Sequence, residues 1–379
     1  MADYCDACGP AQSSHLGLWM TSVSDMLMRL LPPIPFADTD MLERVFAQVG
    51  VPLGFASFST DTSTAISQRS QLLWVEALRR GIGMEQLMIG GPTDIFRIQK
   101  SGRTEFFKSL PPLRVSDRAL RMDDKIHFKE AMRKAGIPVP QSRSVRKVKD
   151  ALDALAEFGM VCVKPRTGSN GRHTFPFVRT KDDVVHALES VLKVAPFASI
   201  EEHLEGNLCR ATCIGGTLHG FLESEHPQIV GDGVSTVEEL IGARNGVRAS
   251  GTEALVLDAA MTGYIRRRGF AVTDIVPKGT KLQLTYRGGR SVGATNREYG
   301  RAIHPSFIEV IERAAAATAL PIVGFDLIIP DPLAPADIQR FGFIEANSLP
   351  WVDLHATPYH GEPNDLAPRV WDLWETLKE

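Results

Sequence analysis

Two lysines, one glycine-rich loop and three oxygen donors are the residues of this chain whose types and spacing could do chemistry. Lys164 ends the short apolar run "MVCVKP", and Lys125 opens a helical pattern in "MDDKIHF". A bound triphosphate needs several fixed cations, because its charge is spread over oxygens with no covalent partner. Two ordinary surface lysines would look the same in sequence. Between Lys164 and the next strand lies "RTGSNGRHT", where Gly168 and Gly171 allow positive φ, so that successive N–H groups of 167–171 can face one anion; Ser169 and Asn170 add small donors. A strand pattern, "FPFVRT", follows rather than a helix, which excludes the helix-linked phosphate loops and suits a lid joining two strands of a flap. Asp326 interrupts the apolar strand "GFDLIIP", while Glu345 and Asn347 in "FGFIEAN" are two apart and so share one face of a strand. Carboxylates placed within buried strands must be paired or metal-bound. Asp, Glu and Asn are the hard oxygen ligands that Mg2+ takes beside nucleotide phosphates, and an ion pair with nearby arginines is the alternative.

These groups need elements to hold them. Helical spacing runs through "DMLERVFAQVGV" and "SQRSQLLWVEALRRGIGMEQL", with Leu72, Val75, Ala77, Leu78 and Ile82 read as one apolar side. "DIFRIQKSGRTEFFKSL" alternates around Ser-Gly and reads as a hairpin. Helices are then expected in "DDKIHFKEAMRKAG", "DALDALAEFG", "KDDVVHALESVLKVA" and "LAPRVWDLWETL", and strands in "MVCVKP", "FPFVRT", "FASIEEHL", "LPIVGFDLIIP" and "FGFIEAN". The alternation of helices with short, mostly antiparallel strands predicts an α+β fold of two lobes preceded by a small α/β module.

At 379 residues the chain is long enough for two or three packed modules, and a hydrophobic share of 44% with 23% charged residues is ordinary for a globular protein. A net charge of −3 gives no bulk attraction to nucleic acid or to a membrane surface. The five cysteines, at 5, 8, 162, 209 and 213, do not read as a disulfide framework, and the N-terminus lacks the basic and apolar regions of a signal peptide; the cytoplasm is the expected location. Cys5 and Cys8 make a single Cys-x-x-Cys with no second pair, so the first forty residues are expected to be an idle mobile terminus rather than a zinc site.

Taken in order, "DK…GIPVP", "VKP…GSNG", "IEEHLEG…R" and "GFD…EAN" resemble the ATP-grasp superfamily, and within it the ligase module of cyanophycin synthetases and bifunctional glutathione synthetases. "IVGDGVSTVEELI" (229–241) and the Asn-x-x-Pro-x-x-x-x-His spacing of Asn347, Pro350 and His355 are similar to the same branch, and the likeness covers about 67–360. The resemblance implies an ATP-grasp fold whose two α+β lobes sandwich ATP. It divides the chain into an extension (1–44), a pre-ATP-grasp α/β module (45–122), a lobe with the phosphate lid (123–204) and a C-terminal lobe with the metal site (205–379).

It further implies that Lys125 and Lys164 hold ATP phosphates under a lid that includes Gly168, Ser169, Asn170 and Gly171. Glu201, Glu202 and Leu204 would face the adenine at the hinge, Glu205 the ribose, and Arg210 the phosphate or acyl phosphate, while Asp326, Glu345 and Asn347 would ligate two Mg2+ ions, with Mn2+ as an alternative. Gly289 stands where this branch has Asn, Ala294 where it has Gly, and Trp351 where Gly is common; all three fall where the acceptor would be held. Arg290 and Arg297 are candidates for binding a substrate carboxylate. The implied activity is ATP-dependent ligation of a carboxylate to an amine, expected to be an amino acid, through an acyl phosphate, giving an amide or peptide bond such as a γ-glutamyl or dipeptide link. The alternatives are a nucleotide-binding regulator or scaffold that has lost turnover, and a ligase acting on a protein tail. Small-molecule carboxylates and amines are the expected partners, with no nucleic acid and no membrane; a homo-oligomer is left open. One helix follows His355, which sets the expectation against a dual-activity polymer synthetase.

Overall fold

Helix starts in this chain are written by side chains that accept from exposed N–H groups. Ser67 caps α2 (Gln68–Arg79), Asp124 caps α3 (Lys125–Lys134) and Thr180 caps α5 (Lys181–Leu192). Thr236 and Glu239 form a reciprocal capping box on α6 (Val237–Gly246). Each such cap contributes about 1 kcal/mol. Lys147 begins α4 (Val148–Phe158) without a side-chain cap; that helix depends on its apolar face, where Ala151, Ala154 and Leu155 are buried. The computed structural model describes residues 5–8, 14–30, 47–100, 103–111, 113, 121–168, 171–248, 253–287 and 293–376. The remaining helices are α1 (His15–Leu30), α7 (Ala259–Arg267), α8 (Pro305–Thr318) and α9 (Ala367–Thr376).

The strands form three four- or five-stranded layers and one small ribbon, and every pairing within them is antiparallel. The N-terminal module is a four-stranded sheet in the order β1 (Ala56–Ser59), β2 (Gly83–Ile89), β3 (Pro92–Lys100), β4 (Arg103–Lys108). The expected hairpin is there, with Lys100 opposite Arg103. The segment after "LRRGI" departs from the sequence reading: the helix stops at Arg79 and "GMEQLMI" is β2. The buried face of α2 also differs. Leu73, Trp74 and Ala77 are buried, while Val75 and Leu78 are 51% and 46% exposed. The Trp74 ring, hydrogen-bonded to Met84 O at 2.8 Å, anchors the face that its size demands. This core is shared with α9: Leu73, Trp74 and Ile82 pack with Val370, Trp371 and Trp374, and Trp371 donates to Leu73 O at 2.9 Å.

The first lobe is a sheet in the order β5 (Ser142–Val145), β8 (Ala198–Glu202), β6 (Val161–Pro165), β7 (Phe175–Val178), covered by α4 and α5. The second is β13 (Thr295–Glu298), β10 (Thr217–Glu225), β9 (Asn207–Ile214), β14 (Ile322–Ile329), β15 (Gly342–Asn347), with α3 and α8 packed on its apolar face through Phe128, Met132, Phe307 and Ile311. Between β10 and β13 a subdomain is inserted. Its ribbon of β11 (Gln228–Val230) and β12 (Lys281–Gln283) and its helices α6 and α7 bury Ile229, Val237, Ile241, Ile265 and Leu282 together. The lobes are joined by residues 203–206. Gly206 has φ +147, and a Cβ there would lie 2.7 Å from the Ile329 carbonyl carbon, so only glycine lets the connector pass against the end of β14.

The described parts of the terminus expected to be idle and mobile, 5–8 and 14–30, make contacts with the rest of the chain. Asp6–Cys8 form a turn of 3-10 helix; Ala7 O accepts from His173 N at 2.8 Å and from Arg287 Nη2 at 2.9 Å, and Ser22 Oγ of α1 lies 2.6 Å from Thr167 Oγ1. The Ser22–Thr167 contact and the His173–Ala7 backbone bond tie it to the loop after Lys164, and Arg287 ties it to the segment after β12. No helix of the described residues is long and apolar enough to cross a membrane.

Candidate functional site

Strand register assembles the centre of the site. Asp326 on β14 is opposite Arg210 on β9 and opposite Glu345 on β15, so the three side chains form one row across three strands. Asn347 is opposite Gly324, two pairs further along and so on the same face. Arg210 Nε lies 2.8 Å from Asp326 Oδ1 and Nη2 lies 3.4 Å from Oδ2. Its Nη1 is buried and has no hydrogen-bond partner among the described residues, a donor aimed at nothing the protein supplies. Gly324 leaves room for it: a Cβ there would sit 2.6 Å from Arg210 Nη1 and 2.8 Å from the Pro350 Cβ.

Glu345 is joined to Lys125, whose Nζ is 2.9 Å from Oε2 and also donates to Gly168 O at 2.9 Å. A cation in the first turn of a helix opposes the macrodipole, so the place of Lys125 at the start of α3 is not explained by helix stability. It is buried, and it links the loop to the carboxylates. Burial and the neighbouring Glu345 push the Asp326 carboxyl up to about 7, against the pull of Arg210. Burial works against charge on Glu345 as well, but Lys125 and a hydrogen bond from Asp326 drive its pKa down. The two carboxyl groups are therefore electrostatically coupled, so that their protonation belongs to the pair rather than to either residue. Two adjacent carboxyl groups and the Asn347 amide are an all-oxygen donor set that fits Mg2+.

A second cluster lies under the loop. Glu201, on β8, is opposite Cys162 on β6, two register steps from the Lys164–Ser199 pair and so on the same face. Its carboxylate receives Lys129 at 2.6 Å, Lys164 at 2.9 Å and Ser199 Oγ at 2.9 Å. Burial would raise its pKa, but the two ammonium groups hold it at about 2. Burial drags Lys129 down to about 8 although Glu201 opposes this. Lys164 feels the same burial, and Glu201 with Glu345 overcomes it and raises its pKa. The adenine-facing role read for Glu201 does not match its carboxylate, which is turned to the lysines. Lys129 escaped the sequence reading, yet it carried a signal: it stands four residues after Lys125 on one helix, hence on the same face.

The other described residues singled out lie outside these two clusters. Glu202 pairs with Arg340 across the lobes, Leu204 is buried against Gly342, and Glu205 is exposed in the connector. Gly168 and Gly171 both have positive φ, +144 and +62. The loop is held at both ends: Arg166 pairs with Asp124 at 3.2 Å, and Tyr286 Oη donates to Gly171 O at 3.1 Å. Ser169, Asn170, Gly289 and Arg290 lie outside the described residues. Arg297 is paired with Glu225 at 3.2 Å on the β13 edge.

The segment after Asn347 is gripped by the N-terminal module. Arg69 donates to Leu349 O at 3.1 Å and stacks 4.4 Å from the centre of the Trp351 ring, so the departure at 351 is met by a cation from another module. His355 is buried away from the carboxylate row, its ring between Glu298 at 2.6 Å and Thr212 at 2.8 Å. Its spacing from Asn347 serves the sheet: a Cβ on Gly220 would meet the ring at 2.5 Å.

No family model matches the chain. It is 26% identical over 316 residues to the glutathione biosynthesis bifunctional protein GshAB of Clostridium perfringens, a match covering 80% of this chain and 40% of that protein. It is 28% identical over 260 residues to the cyanophycin synthetase of Geminocystis herdmanii, covering 66% and 30%. The crystal structure of a bifunctional glutathione synthetase from Pasteurella multocida superposes with a TM-score of 0.52 at 24% identity, over 81% of this chain and 44% of that one. The chain spans less than half the length of these relatives.

Proposed function

We propose that this chain, which has the ATP-grasp fold, is an ATP-dependent carboxylate–amine ligase that makes an amide bond through an acyl phosphate and releases ADP and phosphate. The observation that carries the reading is the row of Arg210, Asp326 and Glu345 across three strands, tied by Lys125 to the glycine loop over a second pair of lysines. Cations that face phosphate and carboxylates that face a divalent ion are thus joined in one connected cluster. The names of the curated relatives, glutathione biosynthesis and cyanophycin synthesis, favour amide formation over phosphate transfer to an alcohol.

In this reading Lys125, Lys164 and Arg210 hold the phosphates, with Arg210 Nη1 as the donor awaiting an oxygen. Glu201 keeps Lys164 charged and in place, and is itself held by Lys129. The connector at 203–206 would lie against the adenine and Glu205 against the ribose. Asp326, Glu345 and Asn347 would hold Mg2+, which when bound neutralises phosphate charge. A substrate carboxylate oxygen attacks the γ-phosphorus, the bond to the β,γ-bridging oxygen breaks, and ADP leaves. An amine nitrogen then attacks the acyl carbon, loses a proton and expels phosphate. The loop 167–171 would cover the phosphates and keep water from the intermediate. The acceptor side is where Trp351 and Arg69 meet, and the amine is an amino acid or similarly small molecule. A cytoplasmic setting belongs to the same reading.

The test is ADP release from the full chain with ATP, Mg2+ and a panel of amino acids and small carboxylic acids, with mass spectrometry of the products. A product heavier than its acid by one amine less water, formed in step with ADP, is expected. ATP binding with no ADP release across the panel, and none with peptide acceptors, would overturn the ligase reading and leave a nucleotide-binding protein.

A further inference from the structure

We propose that Cys5, Cys8, His15 and His173 form a tetrahedral zinc site that fastens the N-terminal segment to the end of the phosphate loop. The four ligand atoms all lie within 4.8 Å of one another. Cys8 Sγ is 3.4 Å from His15 Nε2 and 3.4 Å from His173 Nε2, and Cys5 Sγ is 3.8 Å from His173 Nε2. A zinc ion with bonds of about 2.3 Å to sulfur and about 2.0–2.1 Å to nitrogen sets tetrahedral S–N edges of about 3.6 Å. The observed edges bracket that value.

Hydrogen bonding alone accounts for the cluster less well. His173 Nδ1 faces Ser190 O at 2.9 Å and Ser190 Oγ at 3.0 Å, so the ring proton belongs on Nδ1 and the Nε2 lone pair is turned to the sulfurs. One lone pair can accept from one thiol, yet two are aimed at it. A metal satisfies both. The Ser190 carbonyl is also the kind of outer partner that orients a ligating imidazole.

The backbone is built to bring these groups together. Cys5 and Cys8 flank one turn of 3-10 helix, with Cys8 N donating to Cys5 O at 3.0 Å, so both thiols leave one side. His15 is the first residue of α1. His173 comes from the far end of the loop and has φ +49, a left-handed conformation that strains a non-glycine residue. Its N–H bond to Ala7 O, at 2.8 Å, holds it there. Cys8 and His173 are buried.

Donor chemistry selects the ion. Two thiolates with two neutral imidazoles are an N2S2 set, which takes zinc over magnesium or calcium. Zn2+ and two thiolates sum to zero charge, so the loaded cluster can stay buried, and loading releases two thiol protons. Four protein ligands close the coordination sphere and leave no position for substrate, which marks the site as structural. Its place gives it a consequence that rests on the loop's assignment as the phosphate lid. With Ser22 against Thr167 and Arg287 on Ala7 O, the zinc would limit how far residues 166–173 can open.

The test needs no turnover. Full-length protein washed with Mg2+ should hold one zinc per chain by elemental mass spectrometry. After chelation, added Co2+ should give the intense visible bands of tetrahedral cobalt with thiolate charge-transfer bands. A Cys5→Ser/Cys8→Ser variant should lose both signals, and Cys209→Ser, a buried thiol on β9, should keep them. Sub-stoichiometric zinc in the wild type together with only weak octahedral Co2+ bands would overturn the site, whatever the variants do. Hydrogen exchange of 166–178 should rise on zinc removal; unchanged exchange would refute the fastening of the loop.

Discussion

Replacing Glu201 by Gln removes one negative charge from between two buried ammonium groups and changes almost no volume. The wild-type carboxylate titrates at about 2 against an ordinary 4.5. At 1.36 kcal/mol per pH unit, that difference is worth about 3 kcal/mol of folding stability at neutral pH. Removing one partner of a buried ion pair costs about 3–5 kcal/mol by a separate route, and the two figures agree. The sign with pH follows from the depressed folded-state pKa. The contribution is complete above 4.5 and is lost as pH falls from there through about 2. Glu201→Gln has no such component, so its deficit should be about 3 kcal/mol at pH 7 and about 1 kcal/mol smaller at pH 3.5. Equilibrium urea unfolding at both pH values measures the gap, and hydrogen exchange should localise it to β6 and β8. Adding Lys129→Met should recover at least about 1 kcal/mol, since an apolar replacement removes one of the stranded charges. A deficit under about 1 kcal/mol at pH 7, or one that stays constant with pH, would refute the charge argument.

Glu345→Gln should leave the chain folded but less stable, because it strips the buried Lys125 of its carboxylate partner and leaves it only Gly168 O, while ADP release falls by about 10²–10³; wild-type rates would remove Glu345 from the metal site. Lys164→Ala should weaken ATP binding by roughly tenfold to a hundredfold, the 1.5–3 kcal/mol of a charge-assisted hydrogen bond, read by calorimetry. Gly324→Ala places a methyl 2.6 Å from Arg210 Nη1 and should lower turnover more than ATP affinity, which a comparison of kcat with the ATP dissociation constant resolves.

What could be read ahead of the structure was what local spacing encodes. Glu345 and Asn347 share a strand face whatever the sheet, and the strand after Gly171 was visible in "FPFVRT". Lys125 and Lys164 were legible as cations at element ends. What escaped depends on register between distant strands. That Glu201 faces Lys164 requires β8 beside β6, and no spacing along the chain states it. The buried face of α2 failed for a related reason: Leu72, Val75 and Leu78 are apolar at helical spacing, but Trp74 outweighs them in area and took the interior. His173 is the clearest case. A Cys-x-x-Cys without a second pair carried no metal signal, because the other two ligands come from a helix start and from a loop far along the chain.

The charges of the cleft are paired internally as the chain stands: Lys125 with Glu345, Arg210 with Asp326, and Lys129 and Lys164 with Glu201. For the proposed reaction this pairing acts as a latch. A nucleotide alone would draw Lys125 and Arg210 towards phosphate and strand two carboxylates side by side. A divalent ion alone would occupy the carboxylates and strand the cations. Each change on its own leaves uncompensated charge in a partly buried site, where the penalty is several-fold larger than in water. Both together exchange one balanced set for another. Nucleotide and metal should therefore bind with positive coupling, each tightening the other by the same factor. The Glu201 pair stands apart from this exchange, since its carboxylate is buried with Lys129 and has no metal partner to gain. It keeps one cation fixed while the others change partners.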